Sequence, residues 1–347
     1  MLRKASVDKR VNAVVLKPDG LEIGWAKAQE IRSSLEEFKK SGKPLFAFLQ
    51  VAGSREYYLA TAAGRLYLAP EGLLDVKGLR AEAMFLKDTL AKLGIQAELE
   101  HIGKYKSFSE MFTENKMTEA YREVTNSMLD TLLEDFLTTV GAARGIPRPA
   151  LKTVLDEGPF LPQNAVKARL ADALLYEDQV FDEVKKLTRA KSIKKLKPED
   201  YNRISPASLG LEGGSRIALV YAVGGIYRGE DDIDPLGGDQ SIGADTLTRA
   251  LEEVAAADDI KGVILRIDSP GGDAFASDQI WRHMHLLRAK KPIVISMSDE
   301  AASGGYYIAM SGDPIVAYPG TFTGSIGLVA GKFNLRGLYD KIGVKKE

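Results

Sequence analysis

The chain has 347 residues, long for one domain, since domains usually run about 100 to 200 residues; two similar-sized units with a sizeable buried core are expected. With 45% hydrophobic and 27% charged residues its composition is that of a globular protein, not of a disordered or fibrous one. Lys plus Arg (47) against Asp plus Glu (48) leaves no overall basic field to hold nucleic acid, zero cysteines exclude disulfides, thiolate nucleophiles and zinc-thiolate sites, and three histidines (His101, His283, His285) leave little for a metal cage, so no metal or cofactor is expected.

The N-terminal MLRKASVDKR is polar, with no apolar signal-peptide core behind it, and no stretch approaches the roughly 18 to 20 apolar residues that a membrane helix needs. Residues 1–11 run like the tail of a helix into the apolar Val14-Val15-Leu16, and IGVKKE at the other end stops without a capping element. Both ends read as those of a fragment or a shortened gene product. From residue 12 the chain gives a strand (NAVVL), a helix with Ile31, Leu35 and Phe38 on one stripe, a Lys-Pro stop, a second strand (GKPLFAF) and Tyr57-Tyr58.

Residues 261–327 repeat this pattern at a nearly constant offset of 249: GVILRI, then Ile280, Met284 and Leu287, then KKPIVIS, then Tyr306-Tyr307. Alternating strands and helices with short connections predict parallel strands covered by helices, an α/β tandem repeat. Residues 186–215 turn basic and then Pro/Ser/Gly-rich, as a linker would. The expected division is 1–185 for the first repeat, 186–215 for the linker and 216–347 for the second repeat.

The differences between the copies carry chemistry. Only the second has Asp268-Ser269-Pro270-Gly271-Gly272 after a strand, then Ala301-Ala302-Ser303-Gly304-Gly305-Tyr306-Tyr307, then Thr323-Gly324-Ser325-Ile326-Gly327. Paired glycines let backbone N–H groups approach a reacting atom and form an oxyanion hole. A serine among small residues at a helix start is exposed as a nucleophile. At the same offset the first copy has Asp19 to Ile23, Ser54-Arg55-Glu56 and Val76, the fold without the site.

The nucleophile needs a base. All three histidines precede Ser303; a Ser-His-Asp order is not excluded by that alone, yet none of them sits in a motif, and His283 and His285 face different sides of their helix. The other option is a lysine lowered toward neutrality by its surroundings, and the candidate stretch is Gly103-Lys104-Tyr105-Lys106-Ser107-Phe108-Ser109-Glu110-Met111-Phe112, after the strand-like run Ile95 to Ile102.

SPGG, AASGGYY, TGSIG and GKYKSFSEMF, in a tandem duplication, resemble the long form of the signal peptide peptidase A (protease IV) family over nearly the whole chain. The resemblance implies a Clp-protease/crotonase-like fold and a serine endopeptidase that degrades small apolar peptides such as cleaved signal peptides. Matched by motif, it makes Ser303 the nucleophile, Lys106 the general base, Ser325 the hydroxyl that orients the lysine, and Gly271, Gly272 and Gly304 the oxyanion glycines. It also implies a homo-oligomer, a tetramer by family, and association with a membrane: the periplasmic side of a bacterial inner membrane, or an organelle equivalent.

Phe108 and Met111 stand where Ala and Pro are expected, and Asp299-Glu300 where smaller or apolar residues are usual. At the repeat offset, the counterpart of Lys106 falls beyond residue 347, so a dyad with Ser303 has to draw its lysine from the first repeat. An acyl-CoA enzyme of the same fold is disfavoured, because it needs neither Ser-Gly-Gly nor a distant lysine; a non-catalytic assembling relative is the third class.

Overall fold

The computed structural model describes residues 1–231 and 240–346; residues 232–239 and Glu347, which fall in the second repeat, lie outside the described residues. By contacts the chain divides into two units that interleave in sequence: Met1–Leu79, Leu132–Gly214 and Tyr318–Gly320 form one, and Arg80–Thr131, Ser215–Ala317 and Thr321–Glu347 the other. The segment Arg80–Thr131, which carries Lys106, thus packs with the unit of Ser303. The repeat in sequence and the packing unit are different divisions.

In the first unit a parallel sheet runs in the order Val14–Leu16, Leu45–Gly53, Arg65–Asp75, Ala173–Leu174. Alternation along Leu45–Gly53 sends Leu45, Ala47 and Leu49 to one face, where they pack with Leu35 and Phe38 of helix Trp25–Lys39. Phe46 and Phe48 go to the other, under Val180 and Val184 of helix Glu177–Thr188. The stripe read from Ile31, Leu35 and Phe38 is therefore a core stripe. Tyr201, within the stretch expected as a linker, also joins this core.

The second unit has the parallel order Ile315–Val316, Ile293–Ala302, Ile260–Ser269, Arg216–Val223, and Phe322–Gly324 pairs with the end of Ile293–Ala302. Its core joins Ile293, Ile295 and Met297 to Ile280, Met284 and Leu287 of helix Ala274–Arg288, at the positions that the repeat predicts. The α/β class with parallel sheets covered by helices is what the chain adopts. A separate antiparallel ribbon pairs Gln96–Ile102 with Leu328–Asn334. Helix Arg336–Ile342, with Lys341 in its last turn, closes on Gly343 in the left-handed conformation, so the C-terminal stretch that reads as uncapped has a glycine cap. Among the described residues no helix is long and apolar enough to cross a membrane.

Candidate active site

Two strand registers assemble the site within the second unit. Ala302 pairs with Gly324 in parallel, so Ser303 and Ser325 leave two neighbouring strands at the same level, and Ser303 N donates to Gly324 O at 2.9 Å. Ile102 pairs with Leu328 in antiparallel sense, which lays the residues after 102 beside those before 328. Lys106 arrives next to Ser325 for that reason.

Lys106 Nζ lies 2.7 Å from Ser303 Oγ, 2.9 Å from the Ser325 carbonyl oxygen and 3.1 Å from Ser325 Oγ. A neutral amine has two N–H bonds and one lone pair; donating to the two Ser325 oxygens leaves the lone pair for the Ser303 hydroxyl. Lys106 is 6% exposed, and burial pushes its ammonium below the ordinary lysine value. Lys104, by contrast, is exposed and held by Tyr105 Oη at 2.9 Å and Glu123 at 3.1 Å, which raise its pKa.

Ser303 caps helix Gly304–Ala309 at φ 51° and ψ −115°, and Ser325 has φ 49°. Four non-glycine residues among those described have positive φ, and these are two of them. Such conformations cost about 1–3 kcal/mol each and concentrate where a side chain must be aimed.

The glycine turn is built by close approach. A Cβ on Gly271 would lie 2.4 Å from Gly304 N, and one on Gly272 2.1 Å from Ile226 O, so neither position admits a side chain. Ile226 N donates to Gly271 O and Asp273 N to Ile226 O, both at 2.9 Å, a parallel bridge that leaves the Gly272 N–H facing away from Ile226. Gly304, as the first helical residue, has an N–H with no intrahelical acceptor. The Gly271 N–H is spent on Ser269 Oγ at 3.1 Å, so Gly271 contributes by lacking a side chain.

The roles of three contributors escaped sequence reasoning. Buried Ser269 also donates to Gly224 O at 2.6 Å and braces the turn. Ile226, in strand Gly225–Tyr227, supplies the bridge. Asp273 caps helix Ala274–Arg288 through Ala276 N and pairs with Arg228; an Asp just before a helical stripe is a readable cap signal, Ser269 stands in the SPGG motif without showing its bracing role, and Ile226 gave no signal. The histidines engage other residues: His101 Nδ1 lies 3.2 Å from Ser109 Oγ, His283 meets Gln279 and Glu252, and His285 stacks on Trp281. Glu300, three residues before Ser303, has its carboxyl pushed up by burial and by Asp268, whose Oδ1 accepts from Glu300 N at 3.0 Å.

A duplicated α/β chain with a strained serine against a buried lysine defines a class, and comparison with known proteins gives its family. The sequence profile of Peptidase family S49 matches residues 37–191 and 285–347, and the chain belongs to that family. The serine protease SPPA, chloroplastic, of Arabidopsis thaliana is 38% identical over 99% of this chain and 51% of its own length. Protease 4 of Salmonella typhi is 32% identical over 94% of this chain and 54% of its own. The chain thus spans about half the length of these curated relatives. A solved ClpP1 variant from Listeria monocytogenes covers 28% of this chain and 47% of its own at 20% identity, with a TM-score of 0.21. The resemblance drawn from the four motifs is borne out at the level of the family.

Proposed function

We propose that the chain is a serine endopeptidase whose nucleophile is Ser303 and whose general base is Lys106. The observation that carries this reading is the 2.7 Å approach of a buried, charge-disfavoured lysine to the hydroxyl of a serine held at positive φ. Neutral Lys106 takes the Ser303 proton as Oγ attacks the scissile carbonyl carbon. The carbonyl oxygen becomes the oxyanion and takes the N–H groups of Gly272 and Gly304. The Lys106 ammonium then returns the proton to the leaving amine, and the C–N bond breaks to leave an acyl ester on Ser303. Water, deprotonated by the same lysine, hydrolyses the ester. Ser325 holds the amine through its hydroxyl and carbonyl, fixing the lone pair on Ser303.

The substrate class we propose is small, apolar, extended peptides, cleaved signal peptides among them. Supporting it, Ile102 and Phe108, close to Lys106 in sequence, and Ile326, next to Ser325, are apolar and open, at 71%, 64% and 68% exposure. Membrane association and a homo-oligomer belong to the same proposal. The test is mass spectrometry after treatment with a fluorophosphonate. Phosphonylation is expected at Ser303, lost in Lys106→Ala; a modified residue elsewhere overturns the assignment.

A further inference from the structure

The segment that delivers the lysine has no apolar core. Between residues 80 and 131 the fully buried side chains are Lys106, Ser109 and Glu110, at 6%, 1% and 6% exposure, all polar; Phe108, Met111 and Ile102 are open to solvent. Phe108 packs edge-on against Phe112 and Phe112 against Phe333, but with no apolar side chain of the segment buried, hydrogen bonds are needed beside these contacts and the ribbon pairing to fix where Lys106 points. Lys106 N donates to Gly103 O at 3.1 Å and leads into a short 3-10 turn, Ser107–Ser109, that continues as helix Glu110–Thr113.

The Glu110 carboxylate is a two-armed clamp. Its Oε1 accepts from Thr118 Oγ1 at 2.9 Å and its Oε2 from Thr118 N at 3.1 Å. Thr118 Oγ1 in turn accepts from Tyr121 N at 3.2 Å at the start of the 26-residue helix Glu119–Arg144, so the clamp ties the lysine turn to the cap of the longest helix described. Ser109 adds the contact with His101 Nδ1 and accepts Thr113 Oγ1 on its carbonyl at 3.1 Å. The turn's C-terminal end is thereby pinned, and the Lys106 N to Gly103 O bond holds the other.

We propose that Glu110 is a positioning residue for the Ser303–Lys106 pair, holding through Thr118 the turn that keeps Lys106 Nζ buried and aimed at Ser303. The inference rests on the dyad reading above and names a residue that takes no proton itself. Burial is the cause that lowers Lys106, and the role assigned to Glu110 is to keep it buried. Ionisable neighbours of the turn include His101, in contact with Ser109, Lys104, which pairs with Glu123 and meets Tyr105 Oη, and Glu114, whose N–H donates to Glu110 O.

The test compares Glu110→Ala, Thr118→Val and Thr118→Ser in the full chain, reading kcat, KM and the pH dependence of kcat/KM on an apolar reporter peptide, together with the fluorophosphonate labelling rate at Ser303. Thr118→Ser keeps both arms and should behave as wild type. Thr118→Val keeps the N–H arm and should lose severalfold, and Glu110→Ala on the order of a hundredfold, the scale of a misplacement near 1 Å, in kcat more than in KM. The midpoint of the pH profile should move upward in the same order, because a lysine released toward water regains its ordinary basicity. A loss of rate with an unmoved midpoint would reduce Glu110 to a structural prop and overturn the proposal, as would a wild-type rate. Should Glu110→Ala fail to fold, the Thr118→Val and Thr118→Ser pair decides by the same two readouts. Wild-type protein labelled at another residue, or Lys106→Ala labelled as fast as wild type, would instead bring down the dyad, a result distinguishable because it requires no Glu110 variant.

Discussion

The two copies of the strand-turn-helix step hold a serine in the same sequence slot and surround it in opposite ways. In the first, Ser54 is an ordinary first residue of helix Ser54–Ala60, capped by Gly53 in extended conformation. Glu56 folds back, its Oε2 accepting from Gly53 N at 3.1 Å and its Oε1 from Leu21 N at 2.9 Å. In the second, Ser303 is itself the cap, at positive φ, and the position matching Glu56 at the repeat offset is Gly305. The first copy thus ties the start of its helix to Leu21 through the Glu56 carboxylate, whereas at the matching position the second copy carries no side chain. Val76, fully buried where the second copy has Ser325, completes the contrast: one slot is spent on packing, the other on strain.

The largest effect that separates the copies is on the serines. Ser303→Ala should lower kcat on an apolar reporter peptide by at least about a thousandfold, whereas Ser54→Ala should leave it unchanged. Equal losses in the two would make the copies functionally alike and remove the contrast. Lys106→Arg should be as inactive as Ser303→Ala, because a guanidinium keeps its proton near neutral pH, while Lys104→Ala stays active. In wild type the rate should rise with pH through the lowered Lys106 value and level off, since the neutral amine is the active form. The same shift has a stability consequence. Between its folded and unfolded pKa values Lys106 binds fewer protons folded than unfolded, so stability rises with pH across that window. Lys106→Met removes the buried amine and should abolish that rise while holding or raising Tm; a fall in Tm would show that the lysine stabilises the fold.

Next in size is the glycine turn. Gly272→Val places a side chain where even a Cβ meets Ile226 O, and should lose on the order of a hundredfold or more in kcat. The matching residue of the first copy, Ile23, already carries a side chain, so Ile23→Val should cost no activity. A Gly272→Val enzyme that keeps its kcat while KM rises would transfer the glycine turn from the oxyanion to peptide binding.

What could be read in the sequence was local. The helical stripes Leu35/Phe38 and Met284/Leu287, the strand runs beside them and the Ser303 motif each lie within one element, where periodicity and small-residue clusters speak directly. The partnership of Lys106 with Ser303 depends instead on the pairing of Gln96–Ile102 with Leu328–Asn334, more than 200 residues apart, and no periodicity encodes that register. The family motifs pointed to the lysine; they were silent on the packing of Arg80–Thr131 with the second unit, on Ile226 behind the glycine turn, and on what their own Ser269 and Glu110 do, the latter a carboxylate that looks in sequence like one more solvated charge.

The smallest expected effect lies in the copy without a site. Glu56→Gln keeps one acceptor oxygen and turns an N–H donor toward a backbone N–H, so one of the bonds to Leu21 N and Gly53 N is lost and its donor left unpaired. The loss should be about 1 kcal/mol, seen as a lowered denaturant midpoint with an unchanged slope, and Glu56→Ala, which empties both donors, should cost about 1–3 kcal/mol. Hydrolysis of the reporter peptide should not change in either variant. Glu56→Ala also removes from the first copy the carboxylate that the second copy lacks at Gly305, and yet Ser54 should stay unlabelled by the fluorophosphonate, because it remains in ordinary helical backbone. Labelling of Ser54 in Glu56→Ala would show that the carboxylate alone had silenced the first copy, and that the positive φ of Ser303 is less needed for reactivity than its geometry indicates.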